Sequence, residues 1–124
     1  MQKLNPQSIA DQLEDAHQRT MALIDGLSDQ QLIGPLLATV NPLLWEIGHA
    51  AYFYEYWVLR QHLNRQPIRE NADSLYDSIT IAHDVRWDLP LPELKQTLAY
   101  IKSVEDNVKE VLAEGEDAKR DYLA

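Results

Sequence analysis

Apolar side chains recur every three or four positions from Ile9 to Leu27, with Leu13, Ala16, Leu23 and Ile24 between them and the Thr20 methyl on the same stripe. That period predicts an amphipathic helix over residues 6–25. Asn5 before Pro6 marks its start, because the amide can cap while proline needs no donor at the first helical position. Gly26 suits the left-handed residue that ends it. Ser28-Asp29-Gln30-Gln31 then reads as a capping box opening one short turn, closed by Gly34-Pro35.

Asn41-Pro42 repeats the opening device and predicts a second helix to about Leu63. Trp45, Gly48, His49, Tyr52, Tyr56, Leu59 and Leu63 share one face, and Leu44, Phe53 and Trp57 widen it. A helix so aromatic belongs at the centre of a bundle, touched on more than one side. From Asn64 to Leu91 the periodicity fails, apart from one helical turn near Asp73–Ser78. So long an ordered connection points to function. A third helix is expected from Pro92 to Glu114, buried through Leu94, Leu98, Ile101, Val104, Val108, Val111 and Leu112, with Gly115 as its terminator. Glu116–Ala124 is left as a frayed tail or the first turns of a fourth helix.

The fold expected is therefore all-α: one domain over residues 1–124, an up-and-down bundle of three long helices with a long ordered loop between the second and third. The breadth of the second helix's stripe asks for further cover, so a fourth helix is read as missing or supplied by a partner, such as a second copy of the chain.

Charge and composition narrow the function. Twenty acidic residues against eleven basic ones give a net charge of −9, which repels a phosphate backbone and argues against nucleic acid. No apolar run is long enough for a membrane span or a signal peptide, so a cytoplasmic protein without a membrane partner is expected. The absence of cysteine removes disulfides, thiolate metal sites and a cysteine nucleophile.

Four histidines remain as nitrogen ligands. His49 lies mid-helix on the aromatic face, after a glycine that leaves space for a close neighbour; by itself it reads first as a core histidine donating one hydrogen bond, and only second as a ligand. Glu46 three residues earlier shares its face, and Glu14 with His17 repeats the spacing. Glu-x-x-His is the pattern of di-iron carboxylate bundles, although Glu105 alone offers a carboxylate on the third helix's inner stripe. The plainer reading of Glu14 and His17 is a solvated pair. His62 at the helix end points to solvent or the last carbonyls, and His83 could fold back from the loop as an additional ligand. Arg86, beside Trp87, can present a fork to a carboxylate, or else pair with Asp84 or Asp88. Tyr76 and Asp77 carry the same ambiguity.

Taken together, Asn41-Pro42-Leu43-Leu44-Trp45-Glu46-Ile47-Gly48-His49, then Phe53, Glu55 and Trp57-Val58-Leu59-Arg60, resemble the N-terminal DinB-like domain of the ergothioneine-type sulfoxide synthases. Leu75-Tyr76-Asp77-Ser78 and Arg86-Trp87-Asp88-Leu89-Pro90-Leu91-Pro92, leading into Leu98-Ala99-Tyr100, extend the likeness over about residues 8–112, nearest to selenoneine synthase-like members. The resemblance implies a DinB-like bundle in which His49 matches one of three ligands of a non-haem iron, Fe(II). It implies that Arg86 helps bind the carboxylate of a thiol substrate, and that Tyr76 lines the same cleft. The family's other two ligands form a His-x-x-x-His pair on a fourth helix, which His17, His62 and His83 do not provide. Its second, C-terminal domain resembles formylglycine-generating enzyme. The expectation is an incomplete iron site, inactive alone. The alternatives are a self-associating bundle with a structural role and a small di-iron bundle using both Glu-x-x-His pairs.

Overall fold

The Asn5 carboxamide oxygen accepts the Ser8 amide at 2.8 Å, and from that cap α1 (Pro6–Ile24) begins with proline in its first turn. The computed structural model describes the backbone of residues 5–123 and side chains as far as residue 114. α1 ends before Gly26, which takes the left-handed conformation at φ 76°. The capping box is formed in both directions, Ser28 with Gln31, and opens α2 (Asp29–Ile33).

α3 (Leu43–Tyr54) begins at Pro42 and continues without a break as a π-wound segment, Glu55–His62. The whole element spans the expected stretch, but Asn41 does not cap it. Its side chain lies between Arg86, from which it accepts at 2.9 Å, and Glu46, to which it donates at 2.5 Å. A charged donor and a charged acceptor outcompete the helix's backbone amides for that amide group.

The long connection holds α4 (Ala72–Tyr76), as expected, and a 3₁₀ turn over His83–Trp87 that the periodicity does not reveal. α5 (Leu94–Leu123) passes through Gly115. The expected terminator fails because the residues after it include no proline and are mostly good helix formers, so a single glycine costs only ~1 kcal/mol. The acidic end is thus neither a frayed tail nor a separate fourth helix.

Trp45, Leu59, Leu75, Tyr76 and Val104 are almost fully buried, and the core sits where α3, α4 and α5 meet, with α1 closing it through Leu13 and Ile24. The described residues form helices and loops, in keeping with the all-helical architecture expected. Among them no helix is long and apolar enough to cross a membrane. α1 and α3 both lean on α5 and leave an apolar groove between them, floored by Ile101 and Glu105 and continuing past Tyr54 to Val108. Leu23 stands 76% exposed at its edge, off the buried stripe where the period put it. Phe53 and Trp57, 55% and 53% exposed, leave the aromatic face of α3 uncovered on one side.

Candidate metal-ligand histidine and its surroundings

Gly48 allows a close approach by a neighbouring ring. The Tyr76 ring lies so near that a methyl group at position 48 would sit within 2.7 Å of its Oη. The expectation that this glycine makes room for a neighbour therefore has a named beneficiary. Seated there, Tyr76 turns its backbone carbonyl to His49 Nδ1, at 2.8 Å. A carbonyl only accepts, so Nδ1 carries the proton and the lone pair is on Nε2. The imidazole also stacks on Trp45, with ring centroids 4.5 Å apart and planes 10° from parallel. Trp45 is itself tied by Nε1–H to the Leu75 carbonyl at 2.7 Å. His49 is thus held at one nitrogen and along one face, the way second-shell partners orient a ligand.

Beside it lies a cavity of about 340 Å³, lined by His49, Tyr52, Phe53, Tyr56, Trp57 and the segment from Asp77 to Ile79. Arg60 grips Asp73 through both Nη atoms, at 2.5 and 3.0 Å, and the Tyr52 hydroxyl donates to the same carboxylate at 2.7 Å. The Arg60 guanidinium, with help from Tyr52, holds the Asp73 carboxyl below the usual carboxylate range against the effect of burial. Burial, and next the bond to Asp73, raise the Tyr52 phenol. This cluster ties α4 to α3 and so positions the Tyr76 carbonyl.

Arg86 does not meet Asp84 or Asp88. Its Nη1 donates to Asn41, its Nη2 to the carbonyls of Ser78 and Ile81, and its guanidinium carbon lies 4.2 Å from the Trp45 ring centroid. Its buried Nε–H, like the indole N–H of Trp87, has no partner. Tyr76 is buried with its ring stacked on Tyr100, so what it presents toward His49 is backbone. Burial raises its phenol.

The other histidines lie elsewhere. His17 contacts Glu105 at 2.9 Å, across from α1 to α5, rather than standing as a solvated pair with Glu14. Glu14 instead meets Lys109 and Gln18. Glu105 and Lys109 lie 88 and 95 positions away in the chain, beyond the reach of any local spacing. Burial raises the Glu105 carboxyl, and His17 acts in the opposite sense. His62 is exposed, and His83 donates from Nε2 to the Leu37 carbonyl at 2.7 Å. Glu46 faces the α1–α3 groove with His17 and Glu105. Among the described residues no three His, Asp or Glu side chains gather as a metal-binding group. The two Glu-x-x-His pairs therefore do not converge, and His49 offers one free nitrogen where an iron would require more.

A contact invisible in the local sequence is that of Glu55. It is 0% exposed, accepting the Tyr100 hydroxyl at 2.7 Å and the Ile68 amide at 2.5 Å. In the sequence Glu55 stands out by its place on an aromatic helix and in the family-like stretch, and neither feature names the partners that bury it.

Three curated relatives align with this chain. The hercynine oxygenase of Mycolicibacterium smegmatis is 29% identical over 79% of the chain, and that of Mycolicibacterium thermoresistibile 30% over 84%. The hercynine oxygenase of Mycobacterium tuberculosis is 28% identical over 88%. The chain spans about a quarter of the length of these relatives, between 23% and 26%. Residues 12–122, from mid-α1 almost to the end of α5, match the sequence model of the DinB superfamily, and the chain belongs to that superfamily.

Proposed function

We propose that this chain forms the helical side of a non-haem iron site of the ergothioneine type, where an oxygenase joins sulfur or selenium to a betaine of histidine, and that His49 is one iron ligand. The observation that carries the reading is the fixed imidazole, its Nδ1 proton on the Tyr76 carbonyl, its face on Trp45, and Nε2 free. The relatives named hercynine oxygenase support the substrate class. Bound iron would supply the centre at which oxygen is activated. The chain's own residues do the positioning. Tyr76 and Trp45 fix the ligand, while Arg60 with Asp73 and Arg86 with Asn41 pin the loop that frames the cavity. The Nη groups of Arg86 hold the loop, which leaves its unpartnered, buried Nε–H as the group free for a thiol substrate's carboxylate.

One nitrogen does not hold Fe(II) tightly, and this sequence contains no His-x-x-x-His pair. The remaining ligands come from residues other than these 124, and the chain alone forms no sulfoxide. The α1–α3 groove suits a helix that brings them. A second copy of this chain suits the groove less well, since it would oppose like charges at Glu46 and Glu105. Anaerobic calorimetric titration with Fe(II) should show weak binding that His49→Ala removes while circular dichroism shows the helical fold retained, at a lower melting temperature because the Trp45 stack and the bond to the Tyr76 carbonyl are lost. Tight stoichiometric binding contradicts the incomplete site, and binding indifferent to His49→Ala contradicts the ligand. Sedimentation should give a monomer; a dimer at micromolar concentration would move the groove's occupant to a second copy.

A further inference from the structure

Glu55 and Tyr100 form a buried titratable pair for which the iron reading has no use. Tyr100 is 5% exposed, and its ring stacks on Tyr76 at 5.8 Å between centroids and 15° between planes. Tyr76 lies 6.3 Å from Tyr52, Tyr52 lies 5.8 Å from Tyr56, and Tyr56 meets Trp57 edge-on at 5.2 Å. All four separations are those of rings in contact. The series therefore runs unbroken from the centre of the bundle to Trp57, whose surface is half open to solvent.

We propose that Tyr100 is a redox-active tyrosine with Glu55 as its built-in proton acceptor, connected to the surface by Tyr76, Tyr52, Tyr56 and Trp57. A tyrosine oxidised near neutral pH must lose its phenolic proton together with the electron. Two tyrosines of the series have a carboxylate at 2.7 Å, Tyr52 with Asp73 and Tyr100 with Glu55. The Asp73 carboxylate is already clasped by both arms of Arg60, which disfavours taking a proton. The bonds Glu55 accepts come from a phenol and a backbone amide, both neutral, and water does not reach it. A proton arriving there removes a charge from the interior, where an ion is costly. Tyr100 is therefore where the oxidising equivalent comes to rest.

The proton stays within the chain, and an outer-sphere one-electron oxidant docked at Trp57 takes up the electron. One electron leaves Tyr100 and passes ring by ring to a one-electron oxidant at Trp57, which is reduced by one electron. The phenolic O–H bond breaks and its proton forms an O–H bond on Glu55, leaving a neutral tyrosyl radical beside a neutral carboxylic acid. No metal takes part, so the inference stands apart from the iron reading.

The test uses the metal-free full chain with Tyr54→Phe and Tyr122→Phe, so that of its six tyrosines only the four of the series remain. Photogenerated tris(bipyridine)ruthenium(III) is the oxidant, and transient absorbance and electron paramagnetic resonance follow the radical. The expected result is a long-lived tyrosyl radical that Tyr100→Phe removes almost entirely while circular dichroism shows the fold retained, at a lower melting temperature because Glu55 loses its phenolic donor. Trp57→Phe should slow its appearance, and deuterated solvent should slow it as well, since a proton moves with the electron. Glu55→Gln should lower the yield as Tyr100→Phe does; if that variant does not fold, the isotope effect carries the proton assignment. A radical that survives Tyr100→Phe and disappears in Tyr52→Phe overturns the assignment of the resting place. Formation indifferent to Trp57→Phe overturns the route, and the absence of an isotope effect overturns the role of Glu55.

Discussion

Gly48→Ala sets two known effects against one another. Inside a helix, alanine is favoured over glycine by about 1 kcal/mol. Here the new methyl would sit within 2.7 Å of the Tyr76 hydroxyl and nearer still to its ring carbons. That ring cannot yield cheaply: it is buried at 1% exposure, backed by Tyr100, and its own carbonyl is bonded to His49. Overpacking of this kind costs ~1–3 kcal/mol, and an obstacle built from a rigid ring belongs at the upper end. The balance is a destabilisation of about 1–2 kcal/mol, or a fall of roughly 4–10 °C in melting temperature for a domain of this size. Thermal and urea denaturation followed by circular dichroism measure it. Repeating Gly48→Ala in a Tyr76→Leu background should recover most of the loss, because a branched aliphatic chain leaves the space that the ring fills. A Gly48→Ala variant as stable as the parent would refute the reasoning, since propensity would then have won and the approach would not constrain Tyr76.

The remaining predictions concern the polar contacts. Arg86→Lys gives up the fork that reaches Asn41, Ser78 and Ile81, and should cost ~1–3 kcal/mol by urea denaturation; a loss below the error of the measurement would mean the loop is pinned by other contacts. The Asp73 carboxyl is lowered in the folded chain, so its stabilising contribution is complete above the unfolded value of about 3.9 and is lost as the pH falls through the folded value. Asp73→Asn should therefore flatten the acid limb of a melting-temperature profile, and an unchanged limb would contradict the pairing with Arg60. Glu105 has the opposite sign, because burial raises its carboxyl and the ionised form weighs against folding once the pH exceeds the folded value. Glu105→Gln should leave stability at pH 8 equal or higher, and a fall of more than ~1 kcal/mol would show that the contact with His17 dominates.

Much of this architecture is readable from local chemistry. The Asn5 cap, the Ser28 capping box, the turn at Gly26 and the buried stripe of α5 all depend on residues within a turn or two of each other. Where local signals fail, a distant partner has intervened. Asn41 is drawn off the helix start by Arg86, forty-five positions later. His17 leaves Glu14 for Glu105, and Glu55 is buried because Tyr100 and Ile68 arrive from other elements. Gly115 illustrates the converse: a residue able to end a helix does so only where the following chain prefers to turn. The candidate site shows the same division. His49 and Gly48 stand out in the sequence, whereas the carbonyl that orients the imidazole belongs to Tyr76 and is supplied by the fold.

The π-wound stretch has a consequence for how α3 holds α4. Tyr52 and Arg60 lie eight residues apart, yet both reach the carboxylate of Asp73. In an unbroken α-helix eight residues overshoot two full turns by about 80°, which would aim these side chains in different directions. The wider winding from Glu55 onward absorbs that excess and brings the two back into phase. The segment thus acts as a spacer with one residue to spare. Removing a single residue between Tyr56 and Leu59 would restore ordinary α winding and leave Arg60 seven residues after Tyr52, about 20° short of two full turns. The shared grip on Asp73 would survive that deletion, whereas adding a residue would turn Arg60 off its carboxylate.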